Sequence, residues 1–269
     1  MKKQNDSKAK SVFNLIIVDE SGSMSIIRKQ AFSGMNETLQ TVRQMQKKYP
    51  GTKQYVTLVT FDSNHTKWHY DNTPAEQTKN LDWKAYSPCA ATPLYDAMGK
   101  AISKVNAQIE DGDNVLVTVI TDGEENSSEE WTLKMIRTMI EKLKKQNWTF
   151  TLIGTDNLDV ETMAQNFAID EHLEFKQDEA GTKAMFVRER RSRERYNCCV
   201  MAEAAMPTGS FFDEELFPRE LFSESIKATY SCWVCSHKFK ISIISLFKEH
   251  ISPRTLLRAS ANLQVIFQL

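Results

Sequence analysis

Hydrophobic positions in this chain fall into short continuous runs separated by longer amphipathic stretches. Residues 12–18 (Val-Phe-Asn-Leu-Ile-Ile-Val) form the first run, of strand length and apolar nearly throughout. From 26 to 49 the apolar residues move to helical spacing, at Ile27, Ala31, Met35, Leu39, Val42 and Met45, and Pro50-Gly51 stops the pattern. A β-rich run follows at 55–61, and 65–70 is placed to pair with it as a hairpin or edge strand. Thr92 opens a second helix reaching about residue 109, with Pro93 early, where its missing N–H does no harm. Asp111-Gly112-Asp113 turns the chain into the apolar run 115–120. An amphipathic helix from about 129 to 146 carries Ile136, Ile140 and Leu143 on one face. A strand at 150–153, a short helix at 160–167, a strand at 172–175 and a helix from 179 to about 195 complete the pattern.

Strands that are apolar on both faces, alternating with helices, predict an α/β fold. The expected architecture is Rossmann-like and doubly wound: a mainly parallel sheet with helices on both faces. In such sheets the ligand site lies outside the carboxyl ends of the strands. Residues 1–10 read as a polar, basic tail and 11–195 as the α/β domain. Over 196–269 the βα pattern is lost, cysteines cluster, and Pro207, Gly209 and Pro218 sit among aromatic and acidic residues. That stretch reads as an extension, either partly disordered or a small appendage.

Composition narrows the class. The chain has 269 residues, 41% hydrophobic and 26% charged, the profile of a globular protein, and a formal net charge of −1. That balance gives no global pull toward nucleic acid or an anionic membrane. No run approaches the ~20 apolar residues a membrane-spanning helix needs. The 12–18 run ends too soon at Asp19 to be a secretory core. Of five cysteines, Cys89 stands alone and Cys198, Cys199, Cys232 and Cys235 lie in the last third, which is no disulfide framework. A cytoplasmic protein is expected.

The candidate chemistry begins where the first strand ends. Asp19, Ser21 and Ser23 place a carboxylate and two hydroxyls at alternate positions on one turn. Three hard oxygens suit a hard divalent cation, Mg²⁺ (or Mn²⁺). Asp122, in Thr121-Asp122-Gly123, follows another strand, and Thr92 precedes a helix, so all five fall at one rim of the sheet. Neutral hydroxyl ligands would leave the ion more of its charge than a cage of carboxylates. Gly22 fits a tight loop near an ion. Glu20 is expected to point into solvent, with no ligand role. Each residue also has an ordinary reading: Asp19 as a turn residue, and Ser21, Ser23 and Thr92 as helix caps.

Taken in order, these segments resemble the von Willebrand factor A-type family, of the bacterial intracellular type, over roughly residues 11–195. The resemblance rests on D-x-S-x-S at Asp19-Glu20-Ser21-Gly22-Ser23, on Thr92-Pro93-Leu94-Tyr95-Asp96-Ala97, and on Thr121-Asp122-Gly123-Glu124. It implies a metal-ion-dependent adhesion site. Ser21, Ser23 and Thr92 would bind the ion directly, while Asp19 and Asp122 would act largely through bound waters and hydrogen bonds. One exchangeable position would accept an acidic side chain of a protein partner. The implied function is metal-dependent protein binding. The alternative is a metal-dependent phosphoryl-transfer or hydrolytic enzyme using the same site. Against it, no second aspartate stands two residues after Asp19, and no general base or phosphate-gripping Lys or Arg flanks the motif. A scaffold whose metal merely stiffens the rim is the third reading.

Other signals are weaker. Cys232-Trp233-Val234-Cys235-Ser236-His237 resembles half of a zinc site, but completion by His250, Cys198 or Cys199 fits no standard spacing, so an inert role is preferred. The run Arg188-Glu189-Arg190-Arg191-Ser192-Arg193-Glu194-Arg195 is expected to form a solvated helix face with i,i+4 pairs. Its mixed charge argues against nucleic acid. His65, His69 and His172 are scattered, with no evident catalytic triad. The apolar run 241–247, between Lys240 and Lys248, reads as a buried or partner-binding stripe.

Overall fold

A computed structural model describes residues 10–204 and 211–213. The Cys232–Cys235 pair, His237, His250 and the 241–247 run lie outside the described residues.

Strand β1 (Lys10–Asp19) lies inside a six-stranded sheet of order β3-β2-β1-β4-β5-β6. β2 (Thr52–Phe61), β4 (Asn114–Thr121), β5 (Trp148–Thr155) and β6 (Glu171–Phe175) run parallel to it. β3 (Thr66–Pro74) is the antiparallel edge, so the 65–70 run pairs as the sequence implied. Side chains alternate across a strand, and both faces of β1 are covered. Phe13, Leu15 and Ile17 enter a core with helices α2 (Leu94–Asn106), α3 (Leu133–Leu143) and α4 (Val160–Phe167). Val12, Ile16 and Val18 enter the opposite core with α1 (Arg28–Lys48) and α5 (Glu179–Met201). Burial on both sides is why these strands read as near-continuous apolar runs. The doubly wound α/β expectation holds.

Helix starts depart from the pattern for local reasons. The first helical stretch begins as a 3-10 turn, Gly22–Ile27, before α1 takes over. α3 starts at Leu133 rather than near 129. The amides of Glu129, Glu130 and Trp131 donate to the Asp96 carboxylate at 3.2, 3.0 and 2.8 Å, and Thr132 then caps the helix. α5 continues to Met201 instead of ending near 195.

The expectation of a solvated face over 188–195 is corrected. Arg190 and Arg191 are exposed, but Arg193 is wholly buried and Glu189 nearly so. Arg193 pairs with Glu189 and donates to Asn14 Oδ1 at 2.7 Å and Thr118 Oγ1 at 2.9 Å. Asn14 also donates to Gln54 at 3.1 Å, and Gln54 donates to Asn197 at 2.7 Å. Asn14 and Thr118 interrupt two otherwise apolar strands on the α5 side, and buried polar groups need partners. The helix supplies them from within its charge run. Arg188 and Arg195 donate instead to the carbonyls of Phe212 and Phe211, two rings buried in the same core.

The sheet grows from β1 toward β2 on one side and toward β4 on the other. The strand order therefore reverses between β1 and β4, and a crevice opens at their carboxyl ends. Asp19 ends β1, and Asp122 follows the last residue of β4.

Candidate metal centre

Four of the five sequence-derived site residues form one chain of hydrogen bonds in that crevice. Asp19 is fully buried. Its Oδ1 accepts from the Ser21 amide at 2.7 Å and its Oδ2 from Thr121 Oγ1 at 2.6 Å. Ser21 Oγ lies 3.2 Å from Ser23 Oγ, which donates to Asp122 Oδ1 at 2.7 Å. Gln177, just ahead of α5, donates to Asp122 Oδ2 at 2.6 Å. Thr92 is placed by its backbone: its amide donates to Asn126 Oδ1 at 2.8 Å, and the Asn126 amide returns to the Thr92 carbonyl at 3.2 Å. Its hydroxyl faces the same space as Asp19 across Gly123. A Cβ on Gly123 would stand 2.9 Å from Thr92 Oγ1 and 3.6 Å from Asp19 Oδ2.

The 87–92 loop is clasped to the first loop by backbone. Gly22 N donates to Ala90 O at 3.0 Å, and Cys89 N to Glu20 O at 2.9 Å. Ala90 holds a left-handed φ of 60° there. Gly22 itself has room for a side chain, since a Cβ would meet nothing closer than 3.5 Å. Among the protein's own atoms, it is at Gly123 that a side chain would crowd the site. Glu20 is also corrected. It is fully buried, with Oε1 accepting from Lys67 Nζ at 2.6 Å and Ser87 N at 2.5 Å, and Oε2 from Thr60 Oγ1 at 2.6 Å. It turns inward because a cation and two donors await it on β2, β3 and the 87–92 loop.

The ordinary readings account for little of this. Ser21 occupies a cap position but makes no side-chain capping bond, and the cap of α2 falls on Pro93 rather than Thr92. The turn reading of Asp19 survives in its bond from the Ser21 amide.

Burial, the dominant effect, lifts the Asp19 pKa from 3.8 to about 6, and Asp122 adds a smaller like-charge push. Burial also raises the Asp122 carboxyl. Among the described residues, no Lys, Arg or His pairs with either acid. Their donors, the Ser21 amide, Thr121, Ser23 and Gln177, are neutral. Two desolvated carboxylates beside the hydroxyls of Ser21, Ser23 and Thr92 are a donor set that fits a small hard cation. Among the described residues no group of three or more His, Cys, Asp or Glu is arranged for a metal, so a carboxylate cage or a thiolate site has no counterpart here.

Several residues that hold the site were not singled out from sequence. In the sequence Thr121 stands out only within Thr121-Asp122-Gly123, yet it fixes Asp19. Tyr86 donates to the Asp19 carbonyl at 2.7 Å. Gln177 and Asn126 reach Asp122 and Thr92 from loops far along the chain, and no local pattern marks them.

The sequence pattern of the von Willebrand factor type A domain matches residues 15–189. No curated protein sequence gives a significant match. Among solved structures, the von Willebrand factor domain of the type V pili tip protein Mfa5 from Porphyromonas gingivalis superposes with a TM-score of 0.52 at 10% identity, covering 69% of this chain and 96% of that one. The pilus adhesin SpaC from Lactobacillus rhamnosus GG gives 0.51 at 13% identity, covering 70% of this chain and 30% of that one. Proximal thread matrix protein 1 from the mussel byssus gives 0.50 at 14% identity, covering 66% and 45% respectively. The match thus spans less than half the length of the latter two proteins. At these identities the likeness concerns the fold.

Proposed function

The chain belongs to the von Willebrand factor type A domain family, and from that premise we propose that it is a divalent-metal-dependent protein-binding module. In this reading Ser21, Ser23 and Thr92 hold Mg²⁺ (or Mn²⁺), and Asp19 and Asp122 support it from further out through hydrogen bonds and bound water. When bound, the ion supplies a Lewis-acid position for an acidic side chain of a partner protein. The observation that carries the reading is the pair of buried, uncompensated carboxylates meeting three hydroxyls at the β1/β4 crevice. Neutral ligands would leave the ion attractive to an external carboxylate. Binding is favoured over turnover, because Lys67, the cation beside the first loop, is engaged by Glu20. Cys89, Cys198 and Cys199 are not joined in disulfides, which suits a reducing compartment such as the cytoplasm. Among the described residues no helix is long and apolar enough to cross a membrane.

Partner capture from an extract in Mg²⁺ and in EDTA tests the reading, with Asp19→Ala and Thr92→Ala alongside and circular dichroism to check folding. Capture should require the ion and disappear in both variants. Capture that survives EDTA and both substitutions would refute it. Metal-dependent phosphatase or nuclease turnover lost in Asp19→Asn would favour the enzyme instead.

A further inference from the structure

Helix α3 carries more apolar surface than the core uses. Ile136, Ile140 and Leu143 are buried against the sheet. Met135 and Met139 each precede one of these isoleucines by one position, about 100° round the helix, which turns them to its α2 flank. Met135 is 45% exposed. Together with Trp131, Leu143 and the α2 residues Ser103 and Asn106, they line a groove of about 540 Å³. Trp131 is lodged against α2, where Gly99 leaves it room: a Cβ there would come within 2.0 Å of the ring. Ser103 Oγ lies 3.7 Å from Met139 Sδ, tying the two walls together.

Charge on the groove is one-sided. Lys134 and Lys142 also line it, both exposed, and neither has a carboxylate partner among the described residues. The lysines of α2 differ: Lys100 pairs with Glu130 at 2.8 Å and Lys104 with Asp71 at 2.7 Å. Lys134 and Lys142 are eight residues apart, about 12 Å along the helix, or roughly two turns.

We infer that the α2–α3 groove is a second protein-binding surface, fitted to an acidic amphipathic helix of a partner. The apolar stripe of that helix fills the groove, and carboxylates two turns apart on its flank meet Lys134 and Lys142. Methionine walls adapt to different apolar side chains, and lysine stems lie along an apolar edge while their ammonium groups stay in water. The surface uses none of the metal-rim residues, so it stands or falls apart from the proposed metal function.

The test uses the full chain in EDTA, which silences the metal rim, with ¹³C-methyl methionine and resonances assigned through Met135→Leu and Met139→Leu. The probe is a synthetic helical peptide of roughly 16 residues bearing a leucine stripe and glutamates two turns apart. Its counterpart carries lysine for glutamate. The acidic peptide should shift the Met135 and Met139 methyls, and Lys134→Glu/Lys142→Glu should weaken it about tenfold. The lysine peptide should prefer the charge-reversed variant. Both lysines are exposed, so the variant keeps its fold, which circular dichroism checks. The inference is overturned if the acidic peptide leaves both methyls unmoved, if the two peptides bind alike, or if charge reversal changes nothing. Concentration-dependent shifts of the same methyls without peptide, with a dimer in light scattering, would give the groove to a second copy and overturn it equally.

Discussion

Arg193→Ala should destabilise the domain far more than a substitution in a charged helical run ordinarily does. The guanidinium is wholly buried. Its Nε and Nη2 meet Glu189 Oε1 at 2.8 and 2.6 Å, and it donates to Asn14 Oδ1 and Thr118 Oγ1. Truncation leaves the Glu189 carboxylate buried and unpaired, with an Oε2 that already lacks a hydrogen-bond partner. Removing one member of a buried ion pair costs about 3–5 kcal/mol. The stranded acceptors on Asn14 and Thr118 would cost about 1–3 kcal/mol each alone, but they share the same relaxation and do not add. A loss of about 4–5 kcal/mol is expected, a large share of the ~5–15 kcal/mol that holds a typical domain. Urea unfolding followed by circular dichroism reads it as a lower midpoint at unchanged slope. The melting temperature should fall by about 8–20 °C. Arg193→Met with Glu189→Leu removes both charges and fills their volume, so it should recover most of the loss. A loss under about 1 kcal/mol for Arg193→Ala, or a double variant no better than the single, would refute the account of a buried clamp.

Three further outcomes follow from the rim. Gly123→Ala pushes a methyl to 2.9 Å from Thr92 Oγ1, and Thr92 is fixed by Asn126. Wild type at a Mg²⁺ concentration of about 100 Kd should gain about 2.7 kcal/mol in thermal stability. The variant should gain less than a third of that, and an equal gain would defeat the assignment. Burial raises the Asp19 pKa from 3.8 to about 6, so its charged form is disfavoured in the folded state. The penalty is absent below about pH 4, grows as pH rises, and is complete above about pH 6. In EDTA, the stability advantage of Asp19→Asn over wild type should therefore widen by about 2 kcal/mol from pH 4 to pH 7; a constant difference would contradict it. Glu20→Ala strips the acceptor from Lys67, Ser87 N and Thr60 Oγ1, and should cost about 2–4 kcal/mol in urea unfolding, whereas a solvated Glu20 would cost under about 0.5 kcal/mol.

The strands and the order of elements were legible because burial on two faces leaves a plain mark, as in residues 12–18 and 115–120. The placement of Asp19 and Asp122 at one rim was legible too, since a residue that ends a parallel strand is committed to that rim whatever its tertiary neighbours. Glu20 was misread for the opposite reason. Its direction depends on Lys67 and Thr60, which β2 and β3 bring alongside, and no local spacing encodes that. The 188–195 run was misread because local charge pattern alone was weighed. The missing signal lay elsewhere: Asn14 and Thr118 each break an apolar strand on the same face, and together they require a polar partner from a covering helix. Gln177 left no mark, because its role depends only on where the β6–α5 turn lands.

The buried acids separate into two kinds by what compensates them. Glu20 lies against Lys67, Glu189 against Arg193 and Asp96 against Lys100. In each case the chain supplies a basic group, so the acid's charge is met within the fold. Asp19 is the immediate neighbour of Glu20 and as deeply buried, yet it receives only neutral donors, as does Asp122. Desolvating a carboxylate without a cation is unfavourable. A fold able to place Lys67 beside Glu20 places no base one residue away. That asymmetry is the physical argument for an external cation at the β1/β4 crevice, and it concerns the two acids at the strand ends where a doubly wound sheet receives its ligand.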